Sequence, residues 1–380
     1  MAPVNGKVAI MRIGLIYGSE EKFTSALAES LRGEAGIEVE PVRFAGTGLE
    51  EPWRFDLVVD RASARVPYYR SALRQAVLDG VRVVGDPFRE ATRDRFFDLS
   101  LLRRLGVPVP ETVLLPNKEY PSDPGPGGLR NLAYPLDWDA LLERVGRPAW
   151  LKDVDPARLA GAHKVHDREE LLYRFDRSGA ATLMLQRDVI WDRLYRCFTF
   201  GREGVVLARY DAAGRGCSEP GRDLERGLRR GLQSLARRVA GALGTDIAAL
   251  DVAVDGENLV VIDAGSSLPG FEPEEIGDSL FRRVVEASSR FILAEAADVR
   301  AGRGSDRLAA LLGGTGGGRA EGGGGGERRR GSSGRGSGKE RRRDGRRDGR
   351  RDERDRGRGR RGRPPGEAGD GADGASVADG

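Results

Sequence analysis

Apolar residues along the first hundred positions are spaced as in alternating strands and helices. Short apolar runs predict buried strands at 12–17, 57–59 and 81–84, and apolar residues three or four apart predict helices at 21–32, 69–78 and 95–105. Gly106 and Pro108 are expected to end the last of these helices. Because strands that alternate with helices favour a parallel sheet covered by helices, residues 11–107 are predicted to form an α/β unit.

The pattern changes after residue 107. Residues 117–147 are rich in Pro, Gly and Asn and are predicted to be a long surface connection. Beyond it, apolar runs and helical spacing predict strands at 149–152, 183–186, 196–200, 205–210, 248–254 and 259–263, and helices at 223–243 and 280–296. Strands grouped in this way favour an α+β unit with antiparallel hairpins over residues 108–299.

Residues 300–380 have the composition of a disordered tail. From residue 313 onward the chain contains 24 glycines, 19 basic and 12 acidic residues, and no aromatic residue. Such a segment cannot bury enough apolar surface to fold. Residues 1–312 contain 44 basic and 47 acidic residues, so the formal net charge of +4 comes from the tail and does not indicate a nucleic-acid-binding core.

One stretch of the tail could attract RNA by its charge. Residues 339–363 contain 14 basic and 6 acidic residues, enough to interact with phosphates. Aromatic residues that would stack on bases are missing, however. A solvated extension is therefore favoured over association with RNA.

Composition also excludes several classes of protein. No apolar run approaches the roughly 18 residues that a membrane-spanning helix needs, and the N-terminus lacks the pattern of a secretory leader. The only cysteines, Cys197 and Cys217, form no CxxC motif, and with two histidines in the chain they do not make a zinc cluster. These features predict a reduced, soluble, cytoplasmic protein. The oligomeric state is not readable from the sequence.

Two aspartates stand out in the hairpin that spans 248–263. If a three-residue loop is closed by Asp255 and Leu259, Asp251 lies directly opposite Asp263, with Cβ atoms about 4.5–5.5 Å apart. The two carboxylates repel each other, and a cation such as Mg²⁺, which oxygen ligands suit, would remove that repulsion. The alternative is a shifted register that leaves one aspartate exposed at a strand end, and the residues alone are compatible with both.

Lys152 ends the apolar run PAWLK. A lysine at the end of a buried strand can be an edge residue that extends its charge to solvent, which is the commoner case. It can equally direct a point charge at a phosphate. The run alone does not separate these two interpretations.

The order of these features resembles the ATP-grasp superfamily, in particular RimK-type ligases and D-alanine–D-alanine ligases. The resemblance spans roughly residues 12–297, and the segments that support it are VVDRASARVPYYR, LLRRLGVPVPETVLLPNKEYP, NLAYPLDW, KVHDREELLYRFD, LARYD and LDVAVDGENLVVIDA. It implies an α/β, Rossmann-like pre-ATP-grasp domain (11–107) and an α+β ATP-grasp domain (108–299), which the disordered tail expected from composition (300–380) follows. It also implies that ATP phosphorylates a carboxylate, which an amine then attacks.

The resemblance also implies roles for particular residues. Arg95 and Lys152 stand where the family has phosphate-contacting lysines, and Gln186 to Val189 match the segment that contacts adenine. Asp192 is a candidate contact to the ribose. Arg196 and Arg209 match cationic residues that contact phosphates or the acyl group. Asp251 and Asp263 match the acidic Mg²⁺ ligands, and Ser266 stands nearest to the third ligand position.

Two departures from the family pattern suggest an alternative function. The metal motif usually closes with an Asn, where this chain has Asp263-Ala-Gly-Ser-Ser. The usually glycine-rich phosphate loop is Asp153-Val-Asp-Pro-Ala-Arg-Leu-Ala-Gly161, in which Pro156 removes a backbone donor. The leading interpretation is an ATP- and Mg²⁺-dependent carboxylate–amine ligase of unknown substrate. The alternative is a catalytically impaired nucleotide-binding or interaction module.

Overall fold

The computed structural model describes residues 10–303, except 91, 121–127, 157–160, 215, 223 and 267. The strands are β1 (Met11–Ile16), β2 (Ile37–Pro41), β3 (Leu57–Asp60), β4 (Arg82–Val84), β5 (Thr112–Leu114), β6 (Ala149–Asp153), β7 (His163–Val165), β8 (Leu183–Arg187), β9 (Arg193–Phe200), β10 (Gly204–Asp211), β11 (Gly216–Ser218), β12 (Ile247–Asp255) and β13 (Asn258–Ser266). The helices are α1 (Glu21–Arg32), α2 (Pro67–Leu78), α3 (Arg95–Arg104), α4 (Trp138–Val145), α5 (Arg168–Phe175), α6 (Arg226–Leu243) and α7 (Pro273–Arg300). The predicted tail beyond residue 303, with its RNA hypothesis, lies outside the described residues.

The first sheet is parallel, as the alternation of strands and helices predicts. Its order is β2-β1-β3-β4, and every neighbouring pair is parallel. Leu57 to Val59 of β3 form an unbroken apolar run because both faces of the strand are covered, and Asp60 at its end is buried as well. The chain leaves β1 toward one side for β2 and returns on the other side for β3. The carboxyl ends of β1 and β3 therefore lie at the point of the strand order where α/β sheets commonly bind ligands.

The second sheet is antiparallel, with the order β5-β8-β6-β7. α4 and α5 cover one of its faces and contribute Leu142, Val145, Leu171 and Phe175 to a common core. The prediction of a long surface connection over 117–147 is therefore wrong for its last part, which forms α4. Trp138, Leu142 and Val145 have helical spacing, and the Asp137 side chain caps α4 by accepting from the Ala140 backbone N–H.

The third sheet has the order β11-β10-β9-β12-β13, with all neighbours antiparallel. α6 packs on one face through residues such as Leu232, Ala236 and Val239. On the other face, Phe198 and Phe200 join a core that includes α7 and the first sheet. The same face of the sheet also carries charged residues, farther along the strands from Phe198. Their side chains therefore point away from α6.

α7 is longer than the predicted helix at 280–296. Pro273 occupies its first turn, and a kink at Gly277, where φ is +75°, separates that turn from the rest of the helix. In the described part of the chain, no helix combines the length and apolarity needed to cross a bilayer.

Candidate active site

A cavity of about 620 Å³ opens between the second and third sheets. This volume is within the range of about 300–1,000 Å³ that ligand pockets occupy. One part of its lining is apolar and includes Trp150, Val189, Trp191, Leu194 and Ile262. The other part is charged and includes Arg65, Arg95, Lys152, Arg196, Asp251 and Asp263.

β6 and β8 supply one wall of the cavity through strand alternation. Trp150 and Lys152 are two residues apart on β6 and face the cavity, whereas Leu151 between them is buried in the core under α4 and α5. Gln186 lies opposite Trp150 on β8 and lines the same wall. Val189 also lines the cavity. Both ends of the predicted adenine-contacting segment, Gln186 and Val189, thus share a cavity with Lys152.

Lys152 is held by neutral acceptors. Its Nζ donates to Gln186 Oε1 at 2.7 Å and to the Ile262 carbonyl at 3.2 Å. Burial lowers the pKa of Lys152 from its usual value, and the nearby Asp263 offsets only part of that effect. Lys152 is therefore not an edge residue that extends its charge to solvent, and its contact with a phosphate stays a prediction.

A row of three charged residues crosses the third sheet on the cavity side. Arg196 on β9 lies opposite Asp251 on β12, which lies opposite Asp263 on β13. Arg196 donates to both carboxylate oxygens of Asp251, from Nε to Oδ1 at 2.8 Å and from NH2 to Oδ2 at 2.9 Å. The Arg196 guanidinium also stacks on the Tyr210 ring at 3.8 Å from its centroid. Burial alone would lower the Arg196 pKa, but Asp251 raises it well above its usual value.

The opposition of Asp251 and Asp263 is confirmed, although the loop that predicted it is wrong. The hairpin loop has two residues, because Asp255 pairs with Asn258. Continued regularly, that register would place Ile262 opposite Asp251. A β-bulge at Ile262 shifts the pairing by one residue and brings Asp263 opposite Asp251.

The bulge also decides which way Asp263 faces. Val261 and Ala264 are both buried in the core under α6. In an unbroken strand Asp263 would share the face of Val261, and a carboxylate would be buried among apolar residues. With the bulge, Ile262 and Asp263 both line the cavity, and the Ile262 carbonyl is available to Lys152.

Arg95 connects α3 to the carboxylate row. It is the first residue of α3, and its NH1 donates to the Asp153 carbonyl at 2.9 Å, while its Nε lies 3.6 Å from Asp263 Oδ1. Burial would raise the Asp263 pKa, but Arg95 and Lys152 together hold it below its usual value. The repulsion between the two aspartates is thus relieved by guanidinium and ammonium groups of the chain itself.

The structure brings some predicted residues together and leaves others apart. Arg95, Lys152, Gln186, Val189, Arg196, Asp251 and Asp263 all line the cavity. Arg209 does not, because Tyr210 faces the cavity and side chains alternate along β10; the Arg209 guanidinium lies over the Tyr195 ring at 5.3 Å. Asp192 is also outside the cavity lining, and its carboxylate accepts from the Gly256 backbone N–H at 3.0 Å. The Ser266 side chain and residues 157–160 of the predicted phosphate loop lie outside the described residues.

The sequence interpretation missed several residues of the cavity lining, among them two on strands and two on connecting segments. Trp150 could have been found, because it lies two residues before Lys152 on the same strand. Tyr210 follows Arg209 and could have been found by the same alternation along β10. Trp191 and Arg65 lie on connecting segments, and local spacing gives no signal for either.

The donor set is compatible with Mg²⁺. Within the described part of the chain, no group of three or more His, Cys, Asp or Glu side chains lies close enough to hold a metal ion. Mg²⁺ is, however, commonly bound through one or two carboxylates, with phosphates and water completing its shell. Asp251 and Asp263 provide these two carboxylates on one face of a hairpin that lines the cavity.

Comparisons with solved structures find the same fold. The RimK-domain ATP-grasp protein of Sphaerobacter thermophilus aligns with a TM-score of 0.53 at 20% identity, over 74% of this chain and 99% of that one. The D-alanine–D-alanine ligase of Bacillus anthracis in complex with ATP gives 0.54 at 14% identity, over 80% and 100% of the two chains. The VanG D-Ala:D-Ser ligase of Enterococcus faecalis gives 0.54 at 12% identity, over 74% and 98%. Neither a protein-family model nor a curated protein matches the sequence.

Proposed function

We propose that this chain, which has the ATP-grasp fold, is an ATP- and Mg²⁺-dependent ligase that joins a carboxylate to an amine. One observation supports this proposal above the others. A single cavity joins an aromatic and aliphatic lining to Lys152 and to two directly opposed carboxylates. These are the surfaces that a purine base, a polyphosphate and its metal ion require together.

In this proposal the base lies against the apolar lining and the phosphates reach Lys152. Trp150, Val189 and Trp191 offer flat or aliphatic surfaces to an aromatic base. Lys152 is bound only to neutral oxygens at present, so it can exchange them for phosphate oxygens without breaking an ion pair. Arg95 lies beside it, 3.6 Å from Asp263, and contributes a second positive charge.

Asp251 and Asp263 are the residues that would hold Mg²⁺. When bound, the ion neutralises charge on the phosphates and orients them. Arg196 has to share Asp251 with the ion, since it now contacts both of its oxygens. A guanidinium so close to the phosphate region also stabilises negative charge that develops during transfer.

The reaction has two steps that balance without a further reagent. An oxygen of the substrate carboxylate attacks the γ-phosphorus of ATP, the bond from that phosphorus to the bridging oxygen breaks, and ADP leaves. The amine nitrogen then attacks the carbonyl carbon of the acyl phosphate, the carbon–oxygen bond breaks, and inorganic phosphate leaves with its electron pair. The nitrogen gives up a proton, and an amide, ADP and phosphate are the products.

A second candidate function is nucleotide binding without turnover. The bidentate contact between Arg196 and Asp251 favours it, because that contact competes with Mg²⁺ for the carboxylate. Under this alternative the cavity binds nucleotide and the chain acts as an interaction module.

Calorimetric titration of the full chain with ATP, with and without Mg²⁺, tests the proposal first. We expect Mg²⁺-dependent binding that Lys152→Ala weakens on the order of tenfold or more, because a charge-assisted contact is lost. Lys118→Ala is the matched control, since Lys118 is exposed and pairs with Asp176. No binding by the wild type at millimolar ATP would overturn both candidate functions.

Measurement of ADP release separates the two candidate functions. Ligation predicts ADP formation that depends on both a carboxylate and an amine and is lost in Asp263→Asn. ATP binding without any ADP formation across a broad panel of carboxylates and amines would favour the non-catalytic module.

A further inference from the structure

α6 concentrates positive charge on the protein surface. The helix contains five arginines, at positions 226, 229, 230, 237 and 238, and no acidic residue. This charge is local, because residues 1–312 contain 44 basic and 47 acidic residues. A helix that carries only positive charge therefore belongs to a region of the chain whose net charge is negative.

Four of these arginines lie on the solvent side of α6. Arg226, Arg230, Arg237 and Arg238 are exposed, and the opposite side of the helix packs on the third sheet. With about 3.6 residues per turn and about 1.5 Å per residue, the first three lie within about 40° of one another and span about 16 Å along the helix. These four residues are called the arginine face below.

The two arginines at the start of this face have no compensating charge. Within residues 10–303 as far as the structure describes them, no hydrogen bond or ion pair joins the side chain of Arg226 or Arg230 to another residue. The other two arginines of the face reach the backbone carbonyls of Glu203 and Leu105 in neighbouring segments. The guanidinium groups of Arg226 and Arg230 are thus available to a ligand.

These two arginines also occupy positions that disfavour a positive charge. Arg226 is the first residue of α6 and Arg230 follows four residues later, near the end where the helix dipole is positive. Like charges at this spacing repel each other. The first turn contains no acidic residue, and the side chain of Glu225 before it makes no capping hydrogen bond. A charge pattern that opposes helix formation in this way is typical of a functional surface.

The rest of the exposed side of α6 indicates the kind of partner. Its other exposed residues are Gly227, Ser234 and Gly241, and no large apolar side chain of the helix is exposed. A Cβ atom at either glycine would contact nothing within 4 Å, so packing does not require glycine there. Protein partners usually need apolar or aromatic anchors, whereas a phosphate backbone is bound through charge and needs none.

We infer that the arginine face of α6 binds the phosphate backbone of nucleic acid, independently of base sequence. An arginine suits a phosphate because its parallel N–H groups match two phosphate oxygens. α6 contains no aromatic residue that could stack on a base, so the contacts are to the backbone alone.

This surface is separate from the cavity between the second and third sheets. α6 covers the face of the third sheet that contains Val261 and Ala264, whereas Asp263 lines the cavity on the other side. The inference therefore goes beyond the proposed ligase function and does not depend on it.

The test measures binding of the full chain to a fluorescent oligouridylate of about 20 nucleotides by anisotropy, over a range of salt concentrations. The α6 variant combines Arg226→Gln, Arg230→Gln and Arg237→Gln. We expect its affinity at about 50 mM salt to be on the order of tenfold lower than that of the wild type. The slope of log affinity against log salt should become shallower by about 2, because each contact with a single-strand phosphate contributes about 0.7. Its affinity for ATP should stay within about twofold, which separates this result from any failure of the proposed function.

A control variant with the same loss of charge is needed, because residues 339–363 are also basic. It combines Arg54→Gln, Arg177→Gln and Arg290→Gln, three exposed arginines that lie outside α6. We expect this variant to bind the oligouridylate within about twofold of the wild type. Equal losses in the two variants, or no loss in the α6 variant, would assign binding to net charge or to the tail and overturn the inference. Absence of binding by the wild type at about 50 mM salt would also overturn it.

A labelled oligo-L-glutamate of equal charge distinguishes nucleic acid from an acidic protein. We expect it to bind on the order of tenfold more weakly than the oligouridylate, because binding to nucleic acid releases condensed counterions. If it bound as tightly and lost affinity equally in the α6 variant, the partner would be an acidic polypeptide and the inference would be wrong.

Urea denaturation tests whether these arginines serve the fold instead. We expect the variant with only Arg226→Gln and Arg230→Gln to have a higher denaturation midpoint than the wild type, because two like charges leave the positive end of the helix dipole. A lower midpoint would show that the two arginines stabilise α6, and a binding role would then not be needed to explain them.

Discussion

Lys152 and Arg196 reach the same cavity from two different sheets, and the protein holds them in opposite ways. Lys152 donates to an amide and a backbone carbonyl, both neutral, whereas Arg196 forms a two-point ion pair with Asp251. Burial accordingly lowers the pKa of Lys152, while Asp251 raises the pKa of Arg196 against the effect of burial.

The comparison shows that one site can contain a charge that stabilises the fold and a charge that is available to a ligand. A charge that is already paired stabilises the fold and exchanges its partner only at a cost. Burial among neutral oxygens disfavours the charged form of a side chain, and an anion that binds beside it stabilises that charged form. On this argument Lys152 responds to the ligand and Arg196 maintains the sheet that presents Asp251.

The strongest test of this difference is folding stability. Arg196→Met leaves Asp251, whose side chain is 13% exposed, without its partner, and we expect a loss of about 2 kcal/mol in the free energy of unfolding. Lys152→Met removes a charge whose hydrogen bonds go to neutral acceptors, so the free energy of unfolding is expected to stay within about 1 kcal/mol of the wild type. Urea denaturation followed by circular dichroism measures both.

Arg237→Met is the control for the arginine substitution, because Arg237 is exposed on α6 and pairs with the exposed Glu203. Its expected effect is within about 0.5 kcal/mol. Equal destabilisation by Arg196→Met and Lys152→Met would remove the distinction between the two cations.

The pH dependence of ATP binding is the next test. A bound polyphosphate favours the charged ammonium, so affinity is constant below the lowered pKa of Lys152 and falls above it by up to about tenfold per pH unit. Titration calorimetry from about pH 7 to 10 should show this fall. By the same linkage, the unfolded chain retains the Lys152 proton to higher pH than the folded chain does. The contribution of Lys152 to folding stability therefore rises as pH passes through the lowered value.

Lys152→Arg is the matched variant, since a guanidinium stays charged over this whole range. Its ATP affinity is expected to be independent of pH between the same limits. A parallel fall in both proteins would assign the dependence to another group.

The sequence predicts the secondary structure well where an element contains consecutive buried apolar residues or a regular apolar face. β3 and β4 were found because their buried residues, such as Val58 and Val83, are consecutive apolar residues, and α6 because its apolar residues recur on one face. α4 was missed because Pro and Gly in the preceding segment masked the helical spacing of Trp138, Leu142 and Val145. Short edge strands such as β2, β7 and β11 have too few apolar residues to give a signal.

From residue patterns alone, the candidate site was predictable only where two strands that are consecutive in the chain pair as a hairpin. The opposition of Asp251 and Asp263 followed from the hairpin, although the turn is one residue shorter and the bulge at Ile262 restores the register. The pairing of Arg196 with Asp251 depends on β9 lying beside β12, which no local pattern specifies. For the same reason nothing in the sequence indicated that Arg65, from another sheet, reaches this cavity.

The smallest expected effect is on ATP affinity and concerns the apolar part of the cavity lining. It distinguishes the role of that part from the role of the charged part. Trp191→Ala removes an aromatic surface of the cavity, and we expect ATP to bind about fivefold more weakly, because one aromatic contact contributes about 1 kcal/mol. Inorganic tripolyphosphate has no base, so its affinity should not change. Tyr173→Ala, an exposed aromatic on α5, is the control and should affect neither ligand. If Trp191→Ala weakened both ligands equally, Trp191 would act by shaping the whole cavity, and the base would have to be placed elsewhere along its lining.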